Sequence, residues 1–352
     1  MKTKIIEIKT PSDAFEAVEE ARQALVKGYI IAFPTETVYA LAAGANIPGA
    51  DEMLFELKGH PKVKPFSLMV SSKGMINGLV KNISETARRL INRCLPGPLT
   101  LILETENSTV GIRMPADKIA LDIIDSFGAP LISTSANLAG APPAVSGKEV
   151  IREFDGKIGL IVDAGDTKYK TASTVVRVSG ERWQILRKGA LSELALRRSS
   201  NKIILFLCAG NTCRSPLAEG ICRKHLCERL GVAPLELEDN GYTLISAGIS
   251  TAGAMPASEN AILASRELGF DLESHLSQKV TKEMVETVDK IYIMEGRQAE
   301  ALRELSDQGV GKIEILDPNG MDIIDPAGGA LEDYRMCASK IESAVKERVR
   351  QL

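Results

Sequence analysis

Residues 203–216 read IILFLCAGNTCRSP and decide the fold of the second half of the chain. The first five are apolar, as in a strand that is buried on both faces of a parallel sheet. Small and polar residues follow, and Pro216 stands where the first turn of a helix tolerates a missing N–H. The stretch therefore predicts a strand, a tight loop and a helix, which is the repeating unit of α/β folds.

The predicted loop contains the residue types that phosphoryl transfer through cysteine requires. Consecutive N–H groups at a strand-to-helix turn bind anions, and the helix adds the positive end of its dipole. Such a position favours the thiolate of Cys208. Arg214 can grip two phosphoryl oxygens, and Ser215 can donate to the sulfur. An isolated C-x5-R pattern is usually a buried cysteine before a helix cap, but here strand, loop and helix agree. The other predicted phosphate-binding residues are Ala209, Gly210, Asn211, Thr212 and Cys213.

On these residues, the segment 202–352 resembles the low-molecular-weight protein-tyrosine phosphatase family. The resemblance implies a short parallel sheet with helices on both faces, a cysteinyl-phosphate intermediate, an aspartic acid from an Asp-Pro loop as general acid, and no cofactor. Two Asp-Pro pairs occur, and we expect Asp325 to be the acid because residues 325–334 resemble the family's loop before its last helix. Asp317 is more simply a turn residue before Asn319 and Gly320. The Ser246-Ala247-Gly248 segment also matches the family.

Thr212 resembles the threonine that bacterial protein-arginine phosphatases carry in this loop. Residues 327–329, Ala-Gly-Gly, offer no ring to stack on a phenol, although arginine phosphatases usually keep an aromatic residue there. We therefore expect a phosphorylated protein as substrate, with phosphoarginine favoured over phosphotyrosine. Arsenate reductases share the loop but need a further cysteine pair. Residues 228–336 contain no cysteine, so the sequence disfavours a reductase.

The first half has no Walker loop, so a nucleotide would have to be held by another arrangement. Its polar segments stand at the ends of predicted strands, and they are 34–39, 58–61, 96–100, 111–115, 133–137 and 186–189. Their order resembles the threonylcarbamoyl-AMP synthase family over about residues 10–190. That resemblance implies a twisted open α/β sheet and the synthesis of threonylcarbamoyl-AMP from L-threonine, bicarbonate and ATP, with Mg²⁺ accompanying the nucleotide. The product serves tRNA modification, so the implied partners are downstream tRNA-modification proteins, with tRNA bound only weakly or indirectly.

Both substrates of such a reaction are anionic, and Lys58, Arg113 and Arg187 are the cations that we assign to them. The remaining predicted nucleotide- or threonine-binding residues are Thr35, His60, Ser133, Thr134, Ser135 and Asn137. His60 stands where the family usually has an arginine, and Ala40 replaces a usual glycine. Lys62 or Lys64 could supply the missing cation. The alternative is a domain that binds nucleotide or RNA without catalysis.

Hydrophobic periodicity predicts the order of elements in both halves. In the first half it predicts a helix from Ser12 that Gly28 ends, and strands at 29–33, 66–70, 99–103, 131–133, 160–162 and 174–178. In the second half it predicts helices at about 214–230, 256–268, 280–287, 297–307 and 330–350, with strands near 243–246, 290–294 and 312–315. We expect two domains, 1–190 and 202–352, with a linker at 191–201.

Composition limits the remaining possibilities. Residues 1–200 contain 26 Lys and Arg against 22 Asp and Glu, whereas the rest contains 17 against 24. This balance suits small anionic substrates but is too weakly basic for a dedicated nucleic-acid binder. No apolar segment is long enough for a membrane span or signal peptide, which predicts a cytoplasmic protein without a membrane partner. The six cysteines and three histidines lack zinc-site spacing, so we expect reduced thiols and no bound metal site.

Overall fold

A computed structural model of the protein describes residues 2–59, 65–251 and 253–352. The chain forms two compact units, residues 1–200 and 201–352. Within the described ranges, the helices are too short or too polar to cross a lipid bilayer.

The first unit is built on a mixed sheet, for which ten strands are described. In chain order they are β1 (Lys4–Glu7), β2 (Ile31–Phe33), β3 (Ala40–Gly44), β4 (Ser67–Met69), β5 (Leu99–Glu104), β6 (Thr109–Arg113), β7 (Leu131–Ser135), β8 (Leu160–Asp163), β9 (Thr174–Ser179) and β10 (Arg182–Arg187). Their spatial order is β1-β8-β2-β3-β7-β4-β6-β5-β9-β10. Antiparallel pairs at β2–β3, β3–β7, β4–β7, β5–β6 and β9–β10 make this an open mixed sheet.

The helices of this unit pack against the sheet, and each helix buries one of its faces. They are α1 (Pro11–Val26), α2 (Ala50–Lys58), α3 (Lys73–Leu79), α4 (Glu85–Cys94), α5 (Lys118–Phe127), α6 (Gly147–Phe154) and α7 (Glu193–Ser200). In α1 the Thr10 side chain accepts from the N–H of Asp13 in a capping box, and Ala17, Ala21 and Leu25 form the buried face. Gly28, with φ 80°, follows the end of the helix, as its position in the sequence predicts.

The second unit has a four-stranded parallel sheet, in the order β12-β11-β13-β14. Its strands are β11 (Lys202–Cys208), β12 (Tyr242–Gly248), β13 (Lys290–Ile293) and β14 (Ile313–Ile315). Its helices are α8 (Arg214–Leu230), α9 (Glu259–Glu267), α10 (Lys282–Thr287), α11 (Gln298–Leu305) and α12 (Leu331–Arg350). Along β11, Ile204 and Phe206 join one apolar cluster while Leu205 and Leu207 join another. Helices therefore cover both faces of this strand, which explains its uninterrupted apolar sequence.

The predicted α/β class is confirmed for both units. Four strands were not predicted, namely β1, β3, β6 and β10. Within the expected linker, residues 193–200 form α7, whose Leu196 is buried. Arg89 and Arg93 donate to the Ser200 and Ser199 carbonyls at the end of this helix, so the polar stretch is helical and packed against α4.

Candidate active sites

The loop between β11 and α8, residues 208–215, is called the Cys208 loop below. The Cys208 sulfur lies at the end of the central strand, where the Asn211 N–H donates to it at 3.1 Å. The Ser215 hydroxyl lies 3.0 Å from the same sulfur and accepts from the Asn211 side-chain amide at 2.9 Å. The Ser215 proton can then point at the sulfur or at the Ala247 carbonyl, which lies 3.3 Å from the hydroxyl oxygen. These donors stabilise a negative charge on Cys208.

Four carbonyl groups of the Cys208 loop accept hydrogen bonds from groups outside the loop. The Cys208, Ala209 and Thr212 carbonyls accept from the N–H groups of Ile249, Ser250 and Ser258, in that order. The Asn211 carbonyl accepts from the His275 ring, and the four distances are 2.7–3.1 Å. With the carbonyls bonded outward, the loop amides remain available to an anion on the concave side.

Two backbone features let the loop close this tightly. Asn211 has φ 57°, the left-handed conformation that asparagine tolerates better than most residues. Gly248 lies directly behind the loop, where a Cβ atom would be 2.8 Å from the Ala209 oxygen and 3.0 Å from the Asn211 nitrogen. The glycine of the Ser246-Ala247-Gly248 segment is therefore required by close packing against the loop.

Arg214 is the largest fully buried side chain and is 1% exposed. Its guanidinium donates to the Glu295 and Asp325 carboxylates and, at 2.8 Å, to the Ile323 carbonyl. Burial alone would lower the pKa of Arg214, but the hydrogen bond with Glu295 and the negative charges of Asp325 and Cys208 raise it above its usual value. The described residues provide no partner for Arg214 Nε, which leaves a buried donor for a bound anion.

Glu295 is a site residue that sequence reasoning missed. It is 12% exposed and bridges Arg214 and Arg297. Burial alone would raise its pKa, but the hydrogen bonds from Arg214 and Arg297 hold the pKa of Glu295 below its usual range. The only sequence signal for Glu295 was a carboxylate at the end of a predicted strand. Its partner Arg214 lies 81 positions away in the sequence, so spacing does not reveal the pair.

The two Asp-Pro aspartates have different surroundings. Asp325 pairs with Arg214, and its other oxygen accepts from the Ala327 N–H at 3.2 Å. Asp317 instead accepts from the Asn319 N–H at 2.8 Å within a turn that Gly320 completes. The structure thus brings Asp325 to the Cys208 loop and gives Asp317 a local turn contact.

The remaining cysteines of this unit are buried. The Cys213 sulfur contacts the hydroxyls of Ser258, at 3.3 Å, and Tyr334, at 3.6 Å. Burial raises the pKa of Cys337 to about 12 and that of Cys222 still further, which makes these thiols unreactive. They act as packing residues, as does Cys227 in the same cluster.

In the first unit, Arg113 at the end of β6 reaches the segment that follows β2. Its Nη2 lies 3.2 Å from the Thr35 hydroxyl, 3.0 Å from the Glu36 carboxylate and 2.5 Å from the Thr37 hydroxyl. We call these four buried residues the Arg113 cluster. Burial lowers the pKa of Arg113, and Glu36 opposes that effect. Arg113 Nε has no partner among the described residues, so it too is a buried donor for a bound anion.

Lys58 lies at the end of α2 and bonds to the segment after β7. Its ammonium donates to the Ser135 carbonyl at 2.8 Å and to the Asn137 side-chain oxygen at 3.1 Å, and the Ser135 hydroxyl donates to that oxygen at 2.6 Å. Burial lowers the pKa of Lys58 to about 8, although the charge of Glu153 acts in the opposite direction. Three predicted residues therefore meet in the Lys58 cluster, formed by the buried Lys58 and Asn137 and the half-buried Ser135.

Arg187 is held near β5 and β9. It donates to the Ser173 carbonyl at 2.8 Å, and the Ser173 hydroxyl lies 2.9 Å from that of Thr100. Burial and then the positive charge of Arg113 hold the pKa of Arg187 below its usual range.

The other predicted residues of this unit are not all brought together. Ser133 donates to the Ser67 carbonyl at 3.2 Å. Alternation along β7 points Thr134 to the opposite face from Ser133 and Ser135. His60, Lys62 and Lys64 lie outside the described residues. Glu36, Thr37 and Thr100 lie in polar segments named above, but no role was predicted for them. Ser173 was not predicted as a site residue.

The described residues contain no group of three or more His, Cys, Asp or Glu side chains arranged to hold a metal ion.

Comparison with known proteins assigns both units. A family model for Sua5, YciO and YrdC proteins, described as "Telomere recombination", matches residues 23–189. The threonylcarbamoyl-AMP synthase of Pyrococcus abyssi is 37% identical over 191 residues, covering 50% of this chain and 56% of that protein. A putative threonylcarbamoyl-AMP synthase of Mycobacterium leprae is 30% identical over 198 residues, covering 53% of this chain and 90% of that protein. The chain belongs to the threonylcarbamoyl-AMP synthase family. It spans about half the length of the P. abyssi relative.

A solved structure of a P. abyssi Sua5 variant agrees with this assignment. It is 26% identical, has a TM-score of 0.53, and the match covers 70% of this chain and 91% of that chain. In the second unit, residues 203–352 match the family model described as "Low molecular weight phosphotyrosine protein phosphatase". Both predicted resemblances are therefore confirmed, and this member of the synthase family is a fusion with a phosphatase-family unit.

Proposed function

We propose that the chain is a bifunctional cytoplasmic enzyme. Its first unit makes threonylcarbamoyl-AMP from L-threonine, bicarbonate and ATP, and its second unit hydrolyses a phosphorylated protein through a cysteinyl-phosphate intermediate. The observation that carries the second activity is the Cys208 loop, in which a main-chain N–H donates to the Cys208 sulfur and the buried Arg214 keeps one N–H donor without a partner among the described residues.

In the phosphatase reaction, the Cys208 thiolate attacks phosphorus while the bond from phosphorus to the leaving group breaks. Arg214 and the loop amides stabilise the charge of the three phosphoryl oxygens. Asp325 donates its proton to the leaving group, and water then hydrolyses the phosphorus–sulfur bond. The Asp325 contact with Arg214 supports this role, because phosphate binding to Arg214 would free the carboxyl group beside the leaving atom.

Phosphoarginine is the substrate that we favour for this unit. Thr212 belongs to the Cys208 loop and is partly exposed, and its hydroxyl lies 3.5 Å from the position of a Cβ atom at Gly210. A hydroxyl there can orient water or the phosphoramidate nitrogen, whereas residues 327–329 provide no ring for a phenol. Turnover of phosphoarginine and phosphotyrosine peptides should be compared for wild type and Thr212→Ile. We expect phosphoarginine to be preferred and the preference to fall in the variant. An equal preference in both proteins would contradict this assignment.

In the synthase unit, the buried cations of the Arg113 cluster and the Lys58 cluster support anionic substrates. Positioning a carboxylated threonine against the α-phosphate of ATP is the main catalytic requirement, because no covalent intermediate is needed. Mg²⁺ would enter with the nucleotide, since it usually binds through substrate phosphates and only a few protein oxygens. Product would pass to tRNA-modification proteins rather than being used at a strong tRNA site.

Pyrophosphate release from ATP tests this half directly. We expect release that requires both L-threonine and bicarbonate in the full chain, and loss of release in Arg113→Gln. ATP binding without any pyrophosphate release would instead support a non-catalytic binding domain.

A further inference from the structure

The loop of residues 164–173, between β8 and β9, is fixed at several points. The Tyr39 hydroxyl accepts from the Ala164 N–H at 3.1 Å and donates to the Gly165 carbonyl at 2.8 Å. The Thr167 N–H donates to the Val145 carbonyl at 2.9 Å. At its far end, Ser173 bonds to Arg187. The backbone of this loop is therefore held in one place on the first unit.

Tyr169 joins this loop to the Arg113 cluster. Its N–H donates to the Glu36 carbonyl at 2.8 Å, and the Glu36 side chain pairs with Arg113. The Tyr169 side chain is nevertheless 42% exposed. The next residue, Lys170, has φ 49°, which is an unfavourable conformation for lysine and shows that the surrounding contacts dictate the path of the loop.

A lysine stands on each side of Tyr169 in the sequence. The Lys168 ammonium lies 5.3 Å from the centre of the tyrosine ring, within cation–π range. Lys170 pairs with Asp166 at 2.6 Å. An exposed ring beside a cation, on a loop whose backbone bonds to Glu36 of the Arg113 cluster, offers contacts for the two ends of a nucleotide, which are a flat base and a polyphosphate.

The other exposed aromatic side chains described in this unit, and its tryptophan, lie elsewhere. Phe15 is on α1 and Tyr29 precedes β2, at the end of that strand opposite to the Arg113 cluster. The Trp183 ring donates to the Ser200 hydroxyl at 3.0 Å and lies against Arg197, so it supports α7.

We propose that Tyr169 is the platform on which the base of the purine nucleoside triphosphate stacks, while its phosphates bind the guanidinium of Arg113. The inference rests on the proposed synthase function and adds a binding residue to it. Tyr169 would act through its ring alone, so its hydroxyl is dispensable. Stacking recognises the face of a base and therefore contributes affinity for the nucleotide without adding affinity for polyphosphate.

The test is calorimetric binding of ATP and of inorganic tripolyphosphate to the full chain. Base–aromatic stacking is worth about 1–3 kcal/mol on alanine substitution, so Tyr169→Ala should weaken ATP binding by about 5- to 150-fold. Tripolyphosphate affinity should not change, and Tyr169→Phe should bind ATP like wild type. Tyr29→Ala is the matched control, because Tyr29 is 44% exposed on the same unit, and it should bind ATP normally.

Unchanged ATP affinity in Tyr169→Ala would overturn the inference. So would an equal loss of ATP and tripolyphosphate affinity, because that result would make Tyr169 a structural residue of the loop. Pyrophosphate release separates this inference from the proposed function. A wild-type chain that binds ATP through Tyr169 but releases no pyrophosphate would support the stacking role and contradict the synthase. A wild-type chain that does not bind ATP would contradict both.

Discussion

Replacing Glu295 with Gln tests how the phosphatase unit holds its arginine. Glu295 is one of two carboxylates that bond to the buried Arg214 guanidinium, and glutamine keeps the shape while removing the charge. A hydrogen bond between charged groups contributes about 1.5–3 kcal/mol, and little solvent screens this pair because Glu295 is only 12% exposed. If that energy serves to orient Arg214 in the transition state, kcat/KM should fall by about 10- to 150-fold.

The assay is steady-state hydrolysis of a small aryl phosphate by the full chain, with thermal unfolding measured on the same samples. Glu314→Gln is the matched control, because Glu314 also pairs with two cations, Lys290 and Arg348, in the same unit. We expect the control to retain wild-type kcat/KM. Wild-type kcat/KM in a folded Glu295→Gln protein would refute the positioning role. An equal loss in the control would show a general effect of charge on the unit.

Three further predictions concern the acid, the loop packing and the buried lysine. Asp325→Asn should slow hydrolysis of substrates with poor leaving groups by about 10²- to 10⁴-fold, while Asp317→Asn keeps near-normal rates; the reverse result would reassign the acid. Gly248→Ala should weaken inorganic phosphate binding because its Cβ would meet the backbone of the Cys208 loop at 2.8 Å, whereas Gly311→Ala, with no atom within 4 Å, should bind normally. Equal affinity in both variants would contradict the packing argument. The pKa of Lys58 is about 8, so its charge is present below that pH and lost above it. Pyrophosphate release should therefore decline as pH rises through about 8, and a Lys58→Arg protein with the same decline would exclude Lys58 as the cause.

Sequence patterns predicted the second unit well because several local signals coincide there. The helix predicted at 214–230 is observed at Arg214–Leu230, since the loop, Pro216 and the glycine at 231 fix both of its ends. Asn211 of that loop has φ 57°, a conformation that asparagine tolerates better than most residues. Glu295 was not predicted because its importance comes only from the tertiary contact with Arg214.

The first unit was harder to predict because its chemistry depends on how distant strands are paired. Apart from Leu41, the Ala40–Gly44 strand consists of alanine and glycine, which have low strand propensity, and burial between β2 and β7 decides its conformation. Thr134 was grouped with Ser133 and Ser135, yet alternation separates it from them. The contact between Arg113 and Thr35 spans 78 positions and could not be read from spacing.

Mass spectrometry of acid-quenched turnover tests the central claim most directly. The account predicts that a phosphoryl group accumulates on the peptide containing Cys208 when hydrolysis is stopped in the steady state, and that Cys208→Ser abolishes turnover while still binding inorganic phosphate. Phosphate on a different cysteine, or continued turnover by Cys208→Ser, would contradict it.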